Sequence, residues 1–229
     1  MDDNLVQRFK NEYRDWCERT SQTNQDNLAG LMTSIRPEES RLIATGKSVL
    51  DVGCGSGKRT FPAYKKMNLI HYGIDFQPQL DPLIRTFDIT GDIPLKAADF
   101  DGNTFDTIVF LGGALCGAFG YEEMRKAITN VLPVLNTNGK IVVDVVLSSR
   151  LVLVYEPATN TYLHKDLNST HQNESNGVVF KLTQEGPPQY LFTKNQLQRL
   201  AESIKFRFST NGIYKINQSD ICQYYSLNK

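Results

Sequence analysis

Val49-Leu50-Asp51-Val52-Gly53-Cys54-Gly55-Ser56-Gly57-Lys58 runs from an apolar strand into a turn with glycine at every second position. Glycine at that spacing lets the backbone take positive φ and lets a ligand come close where another residue would place a Cβ. Two phosphate-binding readings fail on spacing. A P-loop needs Gly, four residues, then Gly-Lys-Ser/Thr. Counting back from Gly57-Lys58 puts Val52 at the first glycine and Arg59 at the hydroxyl. A dinucleotide fingerprint needs its third glycine three residues after the second, and Lys58 stands there. What remains is Asp51-x-Gly53-x-Gly55-x-Gly57, an acid followed by three alternate glycines.

Outward from this turn, strands and helices alternate. Ser48–Val52 reads as a first strand, Leu69–Ile74 and Leu83–Ile89 as the second and third, Thr107–Leu111 as a fourth and Lys140–Leu147 as a fifth. Met124, Ala127, Ile128, Val131 and Leu135 mark a helix over 121–135, closed by Asn138-Gly139. Near-continuous apolar strands predict a parallel sheet covered on both faces. The alternation predicts a doubly wound α/β fold with ligands at the carboxyl ends of the strands.

The flanks differ from this core. Residues 1–20 form an amphipathic pattern with Leu5, Val6, Phe9, Tyr13, Trp16 and Cys17 on one face. Shorter helical pieces over 28–35 and 37–45 complete an N-terminal helical cap, residues 1–46, of a single domain spanning 1–229. Residues 148–190 break the rhythm: they are polar, with strand-like runs Thr161–Leu163 and Val178–Leu182 and an exposed loop Asn168–Gly177. They read as an inserted arm or lid. Thr193 is placed to cap a following helix that turns Leu197, Leu200 and Ile204 inward. Phe206–Ile216 and Ile221–Leu227 predict an antiparallel pair at the sheet edge.

Composition narrows the function classes. The 229 residues carry 25 Lys+Arg against 25 Asp+Glu, a zero formal charge that speaks against nucleic acid or an anionic membrane held by a general field. The longest apolar runs, Ile108–Leu111 and Ile141–Leu147, are too short to span a bilayer. Met1-Asp2-Asp3-Asn4 lacks the basic-then-apolar pattern of a secretory signal. Cys17, Cys54, Cys116 and Cys222 are scattered, with no C-x-x-C pair, so no metal site is expected. These features together predict reduced thiols in a cytoplasmic protein.

The glycine turn and its surroundings, over residues 47–147, resemble the class I S-adenosylmethionine-dependent methyltransferases. The resemblance implies a Rossmann-like, mostly parallel seven-stranded sheet with an antiparallel C-terminal edge strand. It also implies S-adenosylmethionine as cofactor and S-adenosylhomocysteine as product. Asp51 then suits the cofactor's ammonium, directly or through water, beside the backbone of Gly53, Cys54, Gly55 and Gly57. Asp75 ends the second strand, where the family's acid accepts both ribose hydroxyls; such bonds to a carboxylate are charge-assisted. Phe76 is placed to pack on the adenine. In Phe87-Asp88-Ile89-Thr90, Asp88 is the candidate for the adenine amino group with Ile89 alongside, and Asp92 and Asp99 are rivals. Leu111 and Gly112 would lie beside the methionine portion, and Ala114–Gly120 would form the active-site floor. Tyr13 or Trp16 in the first helix would fold over the cofactor, at a cation–π gain of about 0.5–2 kcal/mol.

Methyl transfer is an in-line displacement in which most of the catalysis is positioning and desolvation. A base is needed only where the acceptor must lose a proton. Of three histidines, His71 is expected at the surface and His171 in the polar loop, which leaves His164, in the arm, as the candidate base. Tyr121 and Asp144 are further pocket candidates. The expected activity is methylation of a small molecule at oxygen or nitrogen by a monomer or homodimer. The alternatives are an RNA or protein acceptor, and a catalytically silent module that binds the cofactor.

Overall fold

The computed structural model describes residues 3–23, 35–146, 153–156, 161–164, 178–181, 188–216 and 219–229. In chain order these are α1 (Asp3–Thr23), α2 (Pro37–Ile43), β1 (Ser48–Val52), α3 (Phe61–Lys66), β2 (Ile70–Asp75), β3 (Ile84–Thr86), β4 (Phe105–Phe110), α4 (Tyr121–Val131) and β5 (Leu135–Val146). There follow β6 (Leu153–Glu156), β7 (Thr161–His164), β8 (Val178–Lys181), β9 (Gln189–Leu191), α5 (Lys194–Ser203), β10 (Arg207–Ile216) and β11 (Ser219–Asn228). The main sheet has seven strands in the order β10-β11-β5-β4-β1-β2-β3. β1 pairs in parallel with both β2 and β4, so the strand order reverses at β1. That reversal opens a crevice at the carboxyl end of β1, where ligands bind in folds of this kind. β11 runs antiparallel to β5 and to β10. The antiparallel strand is therefore second from the edge, and β10 takes the edge itself.

Period-two alternation divides the apolar strand residues between two cores. Leu50, Val52, Ile108, Phe110 and Ile141 face one cluster, with Phe9 of α1 and Ile128 of α4. Val49, Val109, Leu111 and Val142 face the other, with Ile43, Phe61, Tyr64 and Tyr224. Each of these strand residues is at most 5% exposed, as expected of a sheet covered on both sides. The amphipathic reading of the first helix is met: Phe9 is fully buried, its ring 5.7 Å from that of Phe119.

Local sequence explains the departures. No helix links β2 to β3; the connection holds Pro78 and Pro82 and is built of turns, and β3 shrinks to three residues. α4 stops at Val131, ahead of a 3-10 turn over Leu132–Val134 that contains Pro133. Asn138-Gly139 lies inside β5 rather than closing a helix, where the pairing with β4 slips between Phe105↔Leu135 and Thr107↔Lys140. A Cβ on Gly139 would come within 2.6 Å of Leu135. His71 is buried, not at the surface: its ring meets Phe61 edge-on at 4.8 Å, and Nδ1–H donates to the Leu69 carbonyl at 3.0 Å.

β6, β7, β8 and β9 form a separate four-stranded sheet in that order. The arm thus contains both strands that its sequence suggested, with two more. Its expected loop, Asn168–Gly177, lies outside the described residues, as do the 28–35 helical piece (apart from Ile35) and His171. β9 packs on the turn at 114–117 that leaves β4. Tyr190 and Phe192 are buried there in a T-shaped pair 4.9 Å apart.

A buried ionic knot joins three distant segments. Glu39 of α2, with no exposed surface, accepts from the Arg36 backbone at 2.8 Å, from Arg36 Nη1 at 3.0 Å and from the Tyr224 hydroxyl at 2.9 Å. The Arg59 guanidinium, just beyond the glycine turn, completes it.

Candidate functional site

The glycine turn takes the conformation that its spacing implied. Gly53, Gly55 and Gly57 have φ of 70°, 55° and 71°, a region costly to residues with a Cβ. Gly53 is also packed close, since a Cβ would come within 2.7 Å of Ala114. At Gly55 a Cβ would meet nothing within 4 Å. That open side is where Gly55 borders a cavity of about 320 Å³, a volume within the usual range for small-molecule sites.

The cavity lies across the ends of β1, β2 and β3 under α1. Gly53 and Gly55 line it from the first strand exit, Asp75 and Phe76 from the second, Asp88 and Ile89 from the third. Tyr13 of α1 covers it, its ring 6.2 Å from Phe76 and 3.2 Å from where a Cβ on Gly117 would stand. Ala114, Leu115, Gly117 and Ala118 supply a floor. Seven residues expected at a cofactor site therefore share one cavity: Tyr13, Gly53, Gly55, Asp75, Phe76, Asp88 and Ile89.

Two carboxylates in it are oriented by backbone amides. Asp75 Oδ2 accepts from Gly55 N–H at 2.9 Å and Oδ1 from Gln77 N–H at 3.0 Å. Each oxygen keeps a lone pair for a further donor. Burial pushes the Asp75 carboxyl above its ordinary range, against the pull of those amides. Asp88 Oδ1 accepts from the Thr90 amide at 3.0 Å and the Thr90 hydroxyl at 2.7 Å, and Oδ2 meets the Arg14 guanidinium. Burial would raise the Asp88 carboxyl, but Thr90, Arg14 and Lys10 together hold it below the usual value. The rivals stand elsewhere: Asp92 pairs with Lys126 on the surface, and Asp99 accepts the Lys96 amide within its own 3-10 turn.

Five expected contacts do not reach the cavity. Asp51 turns away from it, because Thr60 Oγ1 at 2.5 Å and the Tyr64 hydroxyl at 3.2 Å take its carboxylate into the α3 side. Cys54 Sγ occupies the space over Gly73, where a Cβ would come within 2.4 Å of the sulfur. Gly57 is packed against the Phe61 ring. Leu111 belongs to the core on the other sheet face. The amides of Gly112 and Gly113 donate to Asp144 at 2.7 and 3.0 Å, which makes Asp144 a clamp on the β4 exit. Trp16 and Tyr121 also lie off the cavity lining; Tyr121 has the Arg199 guanidinium 5.4 Å from its ring centre. His164 ends β7, paired with Leu153, and its side chain falls outside the described residues.

Sequence reasoning missed three residues here. Lys10 and Arg14 line the cavity from α1. Asn130, buried on α4, donates to the carbonyls of Ile89 and Gly91 at 2.8 Å each and so fixes the β3 exit. A polar residue between Ala127, Ile128 and Val131 on the inward face was the available signal.

Asp51 carries a prediction. Burial pushes its carboxyl up to about 6, only partly offset by Thr60 and Arg59. A folded-state value above the unfolded one means that the folded protein binds the extra proton. Stability should therefore fall as pH rises from about 4 to about 7, by roughly 3 kcal/mol from this residue. Asp51→Asn removes the titration while keeping an oxygen for Thr60. Between pH 5 and pH 8, urea unfolding should show the variant gaining about 1.4 kcal/mol on the parent; an equal difference at both would refute the buried, proton-binding carboxyl.

Residues 50–143 match the family model of a methyltransferase domain. No curated protein sequence matches the chain. Among solved structures, it is similar to the Burkholderia thailandensis 1,6-didemethyltoxoflavin N1-methyltransferase bound to 1,6-didemethyltoxoflavin and S-adenosylhomocysteine. The TM-score is 0.59 at 14% identity, over 98% of this chain and 87% of that one. A Bacteroides fragilis S-adenosylmethionine-dependent methyltransferase in complex with S-adenosylhomocysteine aligns at TM-score 0.54 and 19% identity, over 84% and 77%. A sugar N-methyltransferase from a Streptoalloteichus species aligns at 0.53 and 14%, over 94% and 92%. At such identities the likeness establishes the fold. Among the described residues, no helix is long and apolar enough to cross a membrane and no cluster could hold a metal ion.

Proposed function

We propose that this chain, a class I S-adenosylmethionine-dependent methyltransferase by its domain at residues 50–143 and its strand order, methylates a small molecule at oxygen or nitrogen. The observation that carries the reading is the gathering of Gly53, Gly55, Asp75 and Asp88 along one cavity at three strand exits. Gly55 leaves open the space that a Cβ would fill. Asp75 would hold the ribose through the free lone pairs of its two oxygens, Asp88 would take the adenine amino group, and Phe76 and Tyr13 would enclose the base. Bound there, S-adenosylmethionine supplies an electrophilic methyl group.

The chain's own contribution is placement and exclusion of water. Val52, Ile74, Phe110, Leu115 and Ala118 give the cavity an apolar wall; a ligand seated against it would displace water and strengthen each polar contact. The floor turn is held on one side by Asp144 and on the other by Tyr13. β9 of the second sheet packs on that same turn, so the arm stands where an acceptor would have to be covered. The small-molecule acceptors named for two of the similar structures, a didemethyltoxoflavin and a sugar, support this class of acceptor. His164 of β7 is the proposed proton acceptor; His164→Ala should depress turnover and leave cofactor affinity near the parent's, and a fully active variant would dismiss it.

Calorimetric titration of the protein with S-adenosylmethionine and S-adenosylhomocysteine tests the reading directly. Micromolar binding of both is expected. A folded sample that binds neither would reduce the glycine motif to a structural turn and end the enzymatic reading.

A further inference from the structure

α1 places two cations one helical turn apart against the β3 exit, and spacing i, i+4 puts them on one face. Lys10 Nζ bridges Thr90 Oγ1 and Glu123 Oε2, each at 3.0 Å. This bridge ties the helix to the β3 exit loop and to α4. Arg14 then reaches the carboxylate of Asp88. The Thr90 amide and hydroxyl fill both lone pairs of Asp88 Oδ1, at 3.0 and 2.7 Å. A carboxylate offers about four acceptor sites. Arg14 takes one of the two on Oδ2, and a single acceptor site remains on a group that borders the cavity.

We propose that Arg14 is a positioning residue that makes this site selective for a purine carrying a 6-amino group, acting through Asp88. The inference rests on the cofactor reading above and deepens it. An ionised, fully oriented carboxylate is acceptor-only, so it matches an exocyclic amine and repels a 6-oxo group, which has no proton to give. A freely rotating carboxylate would hold the amine less well, because its open acceptor site would no longer be aimed at one donor position. Arg14 supplies that orientation, because its N–H groups fix Oδ2, while the Thr90 hydrogen bonds and the charges of Arg14 and Lys10 together keep the carboxylate ionised. Sites built around a specific hydrogen bond reject the analogue lacking it far better than apolar pockets reject a changed shape.

The test compares S-adenosylhomocysteine with its deaminated analogue, S-inosylhomocysteine, by calorimetry on the full chain. The parent should prefer the adenosyl compound by about a hundredfold or more. Arg14→Ala should bring the ratio to about tenfold or less, mainly by weakening the adenosyl compound, and Arg14→Lys should restore part of it. Asp88→Asn should abolish the preference, since an amide can present either an acceptor or a donor. Arg14 is 41% exposed, so its truncation leaves the core intact, and thermal melts check this. An unchanged ratio in Arg14→Ala, or an equal loss for both ligands, would overturn the proposal. A parent that binds neither compound would overturn the cofactor reading itself, while a parent that binds both equally would remove only the base-selective role.

Discussion

Asp75→Ala should raise the dissociation constant for S-adenosylhomocysteine by about a hundredfold, ~3 kcal/mol, in a protein that still folds. The expected loss comes from two hydrogen bonds to a charged acceptor, each in the range of about 1.5–3 kcal/mol. Asp75 is suited to make both. It is 9% exposed, its oxygens are fixed separately by the amides of Gly55 and Gln77, and it borders the cavity. The same substitution frees the Gly55 amide at the turn, so the loss of affinity should exceed that of any single ribose contact. Asp75→Asn keeps one acceptor oxygen and should fall between the two. Titration of the three proteins, with melts to confirm folding, decides the matter. Unchanged affinity in folded Asp75→Ala would remove this residue from the ribose site.

Glu39→Ala should be the most destabilising single truncation among the polar residues, at about 3–5 kcal/mol, because it breaks a buried ion pair from one side. The Glu39 side chain has no exposed surface, and the Arg59 and Arg36 side chains are only 17% and 19% exposed. Without the carboxylate both guanidinium groups stay buried near one another, and the Tyr224 hydroxyl loses its acceptor. Urea unfolding should show a lower midpoint with an unchanged slope, and the melting temperature should drop by about 10 °C or more. A loss below about 1 kcal/mol would show that the knot is solvated in solution. Because Arg59 follows the glycine turn directly, cofactor affinity should decline in the same variant.

Some of this site is written in local sequence. Positive φ at Gly53, Gly55 and Gly57 is a backbone demand that glycine alone meets cheaply, so alternate glycines reveal the turn without reference to anything distant. Asp75 is legible because it terminates an apolar strand 20 residues beyond Gly55, and parallel pairing with β1 delivers that end to the turn. The connection between β2 and β3, which holds Pro78 and Pro82, is built of turns with no helix.

Other assignments failed because a side chain goes where its strongest partners stand. Asp51 and Asp75 look alike in sequence, each an acid at a strand end. Thr60 and Tyr64, brought over by α3, draw the first into the sheet's other face, whereas only backbone amides hold the second, which leaves it toward the cavity. Asp144 was similarly claimed by two amides of the β4 exit. His71 was read from its position at a strand's start, yet the packing of Phe61 across β2 buries it.

The sequence alone therefore determined the class of fold, the turn that makes the cavity and one of its carboxylates, because these depend on backbone conformation, strand pattern and short-range order. Tertiary structure decided which carboxylates border the cavity, and it brought Lys10 and Arg14 of α1 to a strand exit more than seventy residues away. No periodicity specifies such contacts. They follow from where the apolar face of α1, led by the buried ring of Phe9, comes to rest on the sheet.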